Sequence, residues 1–214
     1  KLTSYLAVFA MIFFGSTTVS NAATVAVDSD GTIGGASATS EIDADGNGDD
    51  AITLKAVETL VIQRETSVAT IVTLTAATTS LDIDSAAAHS LVVTGSITAA
   101  DATDLTIVVD AGHGLTLGGA LTEFDRANDN QIVVTLEAGS DLTLNGSTAA
   151  VIHGLISGDS AGNGILAFAG TGLKTIDDVL GTTGIATISS AASSNGLIKK
   201  ATRATNVNIS GTLS

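Results

Sequence analysis

The chain has 214 residues, of which 44% are hydrophobic, only 3% aromatic and 14% charged, with 23 Gly and no Pro, Cys or Trp. A formal net charge of −14 argues against a nucleic-acid partner, whose phosphate backbone calls for a basic surface. The shortage of aromatic rings argues against base-stacking platforms and sugar-stacking subsites.

Residues 1–22 read as a secretory signal. Lys1 supplies a positive start, Tyr5 to Phe14 an apolar run, and Ser20-Asn21-Ala22 a small-residue cleavage site. The apolar run is about half the roughly 20 residues that span a bilayer. The alternative is a retained hydrophobic helix that packs in an assembly core. The protein is therefore expected to be secreted, extracellular or on a bacterial cell surface, with membrane contact only through residues 1–22 if they stay. With no cysteine, an exported fold must be held by its core, its sheet or its neighbours.

Residues 23–50 form an acidic, Gly-rich N-terminal segment that opens on a strand-like Thr24-Val-Ala-Val27. Within it, Asp43, Asp45 and Asn47 occupy positions 1, 3 and 5 of a calcium loop, and Gly48 occupies position 6. Asp49 adds a further oxygen, and Ca²⁺ favours clustered oxygens on a tight turn. Position 12 is Leu54 rather than Glu, so the loop is incomplete. Calcium is the one cofactor this pattern suggests; the alternative is a solvated acidic loop.

Residues 51–196 read as a repeat-built β domain. Three segments align: 88–96, 112–120 and 139–147. Leu91, Leu115 and Leu142 fall in register, as do Val93, Leu117 and Leu144, then Gly95, Gly119 and Gly146. A fainter copy at 55–62 sets Leu60 against Leu91. An upstream strand in each later copy aligns Leu105, Ile107 and Val109 with Ile132, Val134 and Leu136. The two-residue apolar period is that of a strand with one buried face. Ala111-Gly112 and Ala138-Gly139 are predicted turns. The repeat length points to an all-β fold, a parallel β-solenoid, with a β-sandwich of hairpins as the alternative. Later segments read as strands at 163–172 and 183–188, with a short helical turn at 175–180.

Residues 197–214 form a basic C-terminal strand or tail. All 22 acidic residues precede position 179, whereas Lys199, Lys200 and Arg203 follow it with no acid among them. Val207 and Ile209 alternate with polar residues as in a strand. These five residues are predicted to mediate assembly: the basic end is drawn to an acidic neighbour, and its strand pairs with an exposed edge.

The Gly-x-Gly-x-Leu-x-Phe-x-Gly-Thr-Gly texture at 162–172, together with Leu-Thr-Leu-x-Gly at 115–119 and 142–146, resembles the passenger regions of bacterial autotransporters, including rickettsial outer-membrane-type surface proteins. The likeness covers roughly residues 50–200. It implies a β-solenoid displayed outside the cell, as an adhesin or surface coat. The family's C-terminal membrane barrel with aromatic girdles has no counterpart in these residues, which points instead to a short stand-alone subunit.

Other chemistry is thin. His89 and His113 share a repeat position, but two imidazoles alone make a weak metal site, and turn-edge histidines account for them better. Asp82 and Asp84 alternate with Leu81 and Ile83 on one strand face; an exposed face explains them as well as acid–base work does. No phosphate-loop pattern is present. The reading is a non-enzymatic structural subunit of an extracellular filament, sheath or coat that polymerises with itself. The alternatives are an adhesin that binds a host or neighbour cell surface and, behind it, an exported polysaccharide-active enzyme on the same scaffold.

Overall fold

The computed structural model describes residues 24–27, 31–33, 51–54, 59–63, 65–73, 79–84, 88–99, 104–123, 132–178, 180–200 and 202–214. The first strands are β1 (Thr24–Val27), β2 (Gly31–Ile33) and β3 (Ala51–Leu54). Five three-strand coils follow. They are β4 (Thr59–Ile62), β5 (Thr66–Val68) and β6 (Thr70–Thr73); β7 (Thr79–Ile83), β8 (Ser90–Val93) and β9 (Ile97–Ala99); β10 (Leu105–Val109), β11 (Gly114–Leu117) and β12 (Leu121–Glu123). The next two are β13 (Ile132–Leu136), β14 (Asp141–Leu144) and β15 (Ala150–Ile152); then β16 (Leu155–Gly158), β17 (Asn163–Phe168) and β18 (Leu173–Ile176). In the last coils the first two strands merge, giving β19 (Leu180–Ser190) with β20 (Asn195–Ile198), and β21 (Thr202–Ile209) with β22 (Thr212–Leu213).

Every strand pairs in parallel with its equivalent in the next coil, which makes the fold a parallel β-solenoid with three faces. Face 1 runs β2-β4-β7-β10-β13-β16, face 2 runs β5-β8-β11-β14-β17, and β19 joins the two by turning the corner between them. Face 3 is a nine-stranded sheet from β1 to β22. No helix occurs among the described residues.

Each face sends one side of its strands inward, and the inward residues form axial columns. On face 1, Leu60, Leu81, Ile107, Val134, Ile156 and Leu180 stack in register, all fully buried. On face 2 the column is Leu91, Leu115, Leu142, Leu166 and Ile188. On face 3 it is Ile52, Ile71, Ile97, Leu121, Ile152 and Ile176. A single coil cannot bury these side chains; stacking does, at about 1.5–3 kcal/mol for each fully buried aliphatic.

The predicted register of Leu91, Leu115 and Leu142, and that of Leu105 to Val109 on Ile132 to Leu136, are both found. Leu60 is a correction: it pairs with Leu81 on face 1, whereas Leu91 on face 2 pairs with Thr66. The expected helical turn at 175–180 is also corrected. Ile176 ends β18 on face 3 and Leu180 opens β19 on face 1, so the apolar spacing there spans a corner between two faces.

Glycines set the corners. The Ala111-Gly112 and Ala138-Gly139 turns between faces 1 and 2 close through His113 N to Asp110 O (3.0 Å) and Ser140 N to Glu137 O (3.1 Å). Gly112 and Gly139 take φ of 77° and 71°, which favours residues without Cβ. At the corner between faces 2 and 3, Gly119 donates to Gly95 O (2.7 Å), and a Cβ on Gly119 would lie 2.6 Å from Gly95 C and O. The backbone of successive coils meets too closely there for any side chain.

Candidate functional site

The terminal coil is where the regular pattern ends in exposure. Val207 pairs with Ile188 and Ile209 with Ser190, so they are the next members of the face 2 column and of its neighbour, Val93, Leu117, Leu144, Phe168 and Ser190. Their predecessors are buried, yet Val207 is 53% and Ile209 52% exposed. Covering the exposed half of both would contribute about 2 kcal/mol. The basic residues predicted to act here sit on the same coils. Lys199, just past β20, lies 3.3 Å from Asp177 Oδ1, with about half its side chain in solvent. Lys200, just before β21, and Arg203, within it, are both exposed. The structure thus brings the five predicted assembly residues to one end of the solenoid. The predicted calcium residues Asp43, Asp45, Asn47 and Asp49 lie outside the described residues.

A second feature was not foreseen in the sequence. The first residue past each face 1 strand is acidic in four successive coils: Asp84, Asp110, Glu137 and Asp159. Their backbone amides donate in turn to Ile62, Ile83, Val109 and Leu136 (3.0–3.1 Å), so they form one column at the corner. Burial raises the Asp110 carboxyl to about 6, helped by Glu137, Asp82 and Asp84. Burial also raises Asp82, with Asp84 and Glu137 reinforcing the shift and His113 opposing it. Asp159 goes the other way, because Asn163 donates to its carboxylate at 2.7 Å. Among the described residues no group of three or more His, Asp or Glu converges to hold a metal ion.

The histidines occupy the turn position expected of them, but they point into the core. His89 and His113 are buried and pack edge to face with ring centroids 4.6 Å apart. His89 Nε2 bonds Ile62 O at 2.7 Å and His113 Nδ1 bonds Ala111 O at 3.0 Å. Both rings are committed to the backbone of their corner, which accounts for their shared repeat position.

Face 3 carries a shallow groove of about 470 Å³ beside Thr122, Thr148, Val151, His153, Leu173 and Thr175. It opens where the ladder thins: β12 and β15 pair only at Leu121 and Ile152, whereas β15 and β18 pair at three positions. Lys174 lies buried next to it. Its ammonium donates to Gly118 O (2.9 Å) and Thr148 O (3.0 Å), carbonyls of the two preceding coils. Burial pushes its pKa down. His153 follows β15, with Nδ1 3.8 Å from Asp177 Oδ2. The groove is lined by hydroxyl, aliphatic and backbone groups, with the His153 imidazole at its edge.

No family model, curated protein or solved structure matches this chain.

Proposed function

We propose that the protein is a non-catalytic structural subunit of an extracellular filament, sheath or surface coat of a bacterial cell. It assembles with copies of itself through strand pairing and through contact between its acidic body and its basic end. The observation that carries this reading is the terminal coil, where two otherwise buried columns end in the half-exposed Val207 and Ile209. Among the described residues no strand pairs the outer edge of β21 or β22, and an open solenoid edge with apolar surface is either capped or paired. The charge division along the chain supports the same reading, since net −14 coexists with an acid-free basic end. Calcium bound near Asp43–Asp49 would neutralise part of that acidity and favour association.

The alternative is an adhesin that uses the same scaffold to bind a host or neighbour surface. The groove with exposed Val151 and Leu173 on face 3 favours it. Sedimentation velocity over a hundredfold concentration range at neutral pH, with and without calcium, separates the two. Growing high-mass species support the structural subunit. A monomer at every concentration that adheres to cells supports the adhesin and removes the first reading.

A further inference from the structure

We propose that face 3 carries a docking site for an extended, uncharged peptide segment, which pairs as one further short strand with the free edge of β15. The site lies between two interior strands of that face, β12 and β15. It goes beyond the assembly reading and does not depend on it, and it gives the groove behind the adhesin alternative a ligand class.

The site comes from a change in coil length. Leu117, Leu144 and Phe168 stack on face 2, and Leu121, Ile152 and Ile176 stack on face 3. The third coil passes from one column to the other in four residues, Leu117 to Leu121. The fourth and fifth coils take eight, Leu144 to Ile152 and Phe168 to Ile176. The fourth coil keeps the ladder as far as Asn145, whose amide donates to Leu117 O (2.9 Å), and regains it at Ile152. The surplus backbone between these points loops outward over the third coil, which is why Ser147, Thr148 and Ala149 are exposed. Lys174 braces this overhang from inside, with its ammonium on Thr148 O of the overhang and Gly118 O of the coil below.

The overhang leaves a strand edge open. β15 pairs with β18 at Ala150, Val151 and Ile152, but with β12 at Ile152 alone. His153 N donates to Leu121 O (2.9 Å) in the third coil, whereas Ile152 O accepts from Asp177 N (3.1 Å) in the fifth. Backbone groups of alternate residues point to the same edge of a strand. Val151 N therefore faces the third coil, as His153 N does, and among the described residues no backbone carbonyl of that coil accepts it. The floor of the groove there is Ser96, Gly119 and Ala120, and Val151 and Leu173 stand exposed on its wall. A floor this small lets a foreign backbone reach the edge, and the two exposed aliphatics meet its alternate side chains. Strand addition needs both features.

The lining selects the partner's chemistry. Among the described residues around the groove there is no carboxylate, ammonium or guanidinium, so a charged segment would lose water there without gaining a counter-charge. There is no Phe, Tyr or Trp either, so a sugar has no ring face to stack on. A segment of small and β-branched residues meets the hydroxyls of Thr122, Thr148 and Thr175 and the aliphatic wall equally well. Its paired length matches β15, 3 residues, and its direction is parallel, as in every other pair of the ladder.

The test is hydrogen exchange of the full chain, read by mass spectrometry, with the capped peptide acetyl-Ser-Val-Thr-Val-Ser-amide as probe. The peptide is expected to slow exchange in the segment 149–153 saturably, with half the effect at about 1 mM or below, and to leave the interior of face 2 unchanged. The same peptide N-methylated at its three central residues cannot pair along an edge, and is expected to bind at least about fivefold more weakly. Ala120→Leu fills the floor and leaves the edge intact, and is expected to weaken binding at least about tenfold. Circular dichroism first shows that this variant is β-rich; if it does not fold, the methylated peptide on the wild-type protein decides. No protection at about 10 mM peptide, or equal protection by the methylated peptide, would overturn the proposal. So would protection of the same segment by cellotriose and not by the peptide, which would make the groove a sugar site. Exchange is read equally well on single subunits and on assemblies, so a failure here leaves the assembly reading standing, and a protein that never assembles leaves this site standing.

Discussion

Replacing Asp110 by Asn tests the electrostatics of the acidic corner. Asp110 stands between Asp84 and Glu137 in the axial column, with Asp82 close by, and its carboxyl is raised from 3.8 to about 6. The folded pKa lies above the unfolded one, so between these values the native state holds more protons than the unfolded chain. Stability therefore falls as pH rises from about 4 to about 6 and levels off above that. Asp82, shifted in the same direction, adds to the slope. Asp159, held low by Asn163, acts with opposite sign, but only below 3.8 and so outside this window. The full displacement of Asp110 corresponds to about 3 kcal/mol. Solvent at this partly exposed corner screens that to about 1 kcal/mol. Asn keeps the shape and removes the charge, so Asp110→Asn is expected to be more stable than wild type at pH 7 by about 1 kcal/mol, or about 2–4 °C in Tm. Urea melts at half-unit steps from pH 4 to 8 would show the wild-type slope and its reduction in the variant, which keeps only the part due to Asp82. A wild-type stability that rises through this window, or a variant no more stable at pH 7, would refute the reasoning.

Other predictions concern the corners and the core. Gly119→Ala brings a Cβ within 2.6 Å of Gly95 backbone atoms, and should destabilise by about 2 kcal/mol or more in the same melts, as overpacking against rigid backbone does. Lys174→Met leaves Gly118 O and Thr148 O without their buried donor, and should cost about 1–3 kcal/mol at neutral pH. The Lys174 pKa is lowered on folding, so wild-type stability should rise with pH through the window just below 10.5, and Lys174→Met should lose that rise. Leu142→Ala, inside the face 2 column, should cost about 2–5 kcal/mol.

The solenoid was legible between residues 88 and 147 because three coils there carry the same strand, turn and strand at similar length. Leu91, Leu115 and Leu142 recur with a glycine at the same offset, and the ladder places them as that recurrence predicts. Leu60 was misplaced because an apolar strand triplet alone does not say which face it belongs to. That is decided by coil length, and the loops change length from coil to coil. The 175–180 stretch misled for a related reason: Ile176 and Leu180 have the spacing of a helical face, yet they bury on opposite sides of a corner. The acidic column escaped notice because Asp84, Asp110, Glu137 and Asp159 are more than twenty residues apart and become neighbours only once the coils stack. Lys174 gave no signal either. A lone lysine in a strand reads as a solvated charge, and its burial follows from the thinned ladder between β12 and β15. Val207 and Ile209 were predicted as strand residues from their alternation; only their register on Ile188 and Ser190 marks them as uncovered members of core columns.

The central claim is that copies of the protein assemble with one another into an extended structure. Electron microscopy and fibre diffraction of the assembled wild-type protein test it most directly. The account predicts extended assemblies whose diffraction carries a reflection near 4.8 Å from the stacked parallel strands. Particles of single-subunit size at every concentration would contradict it.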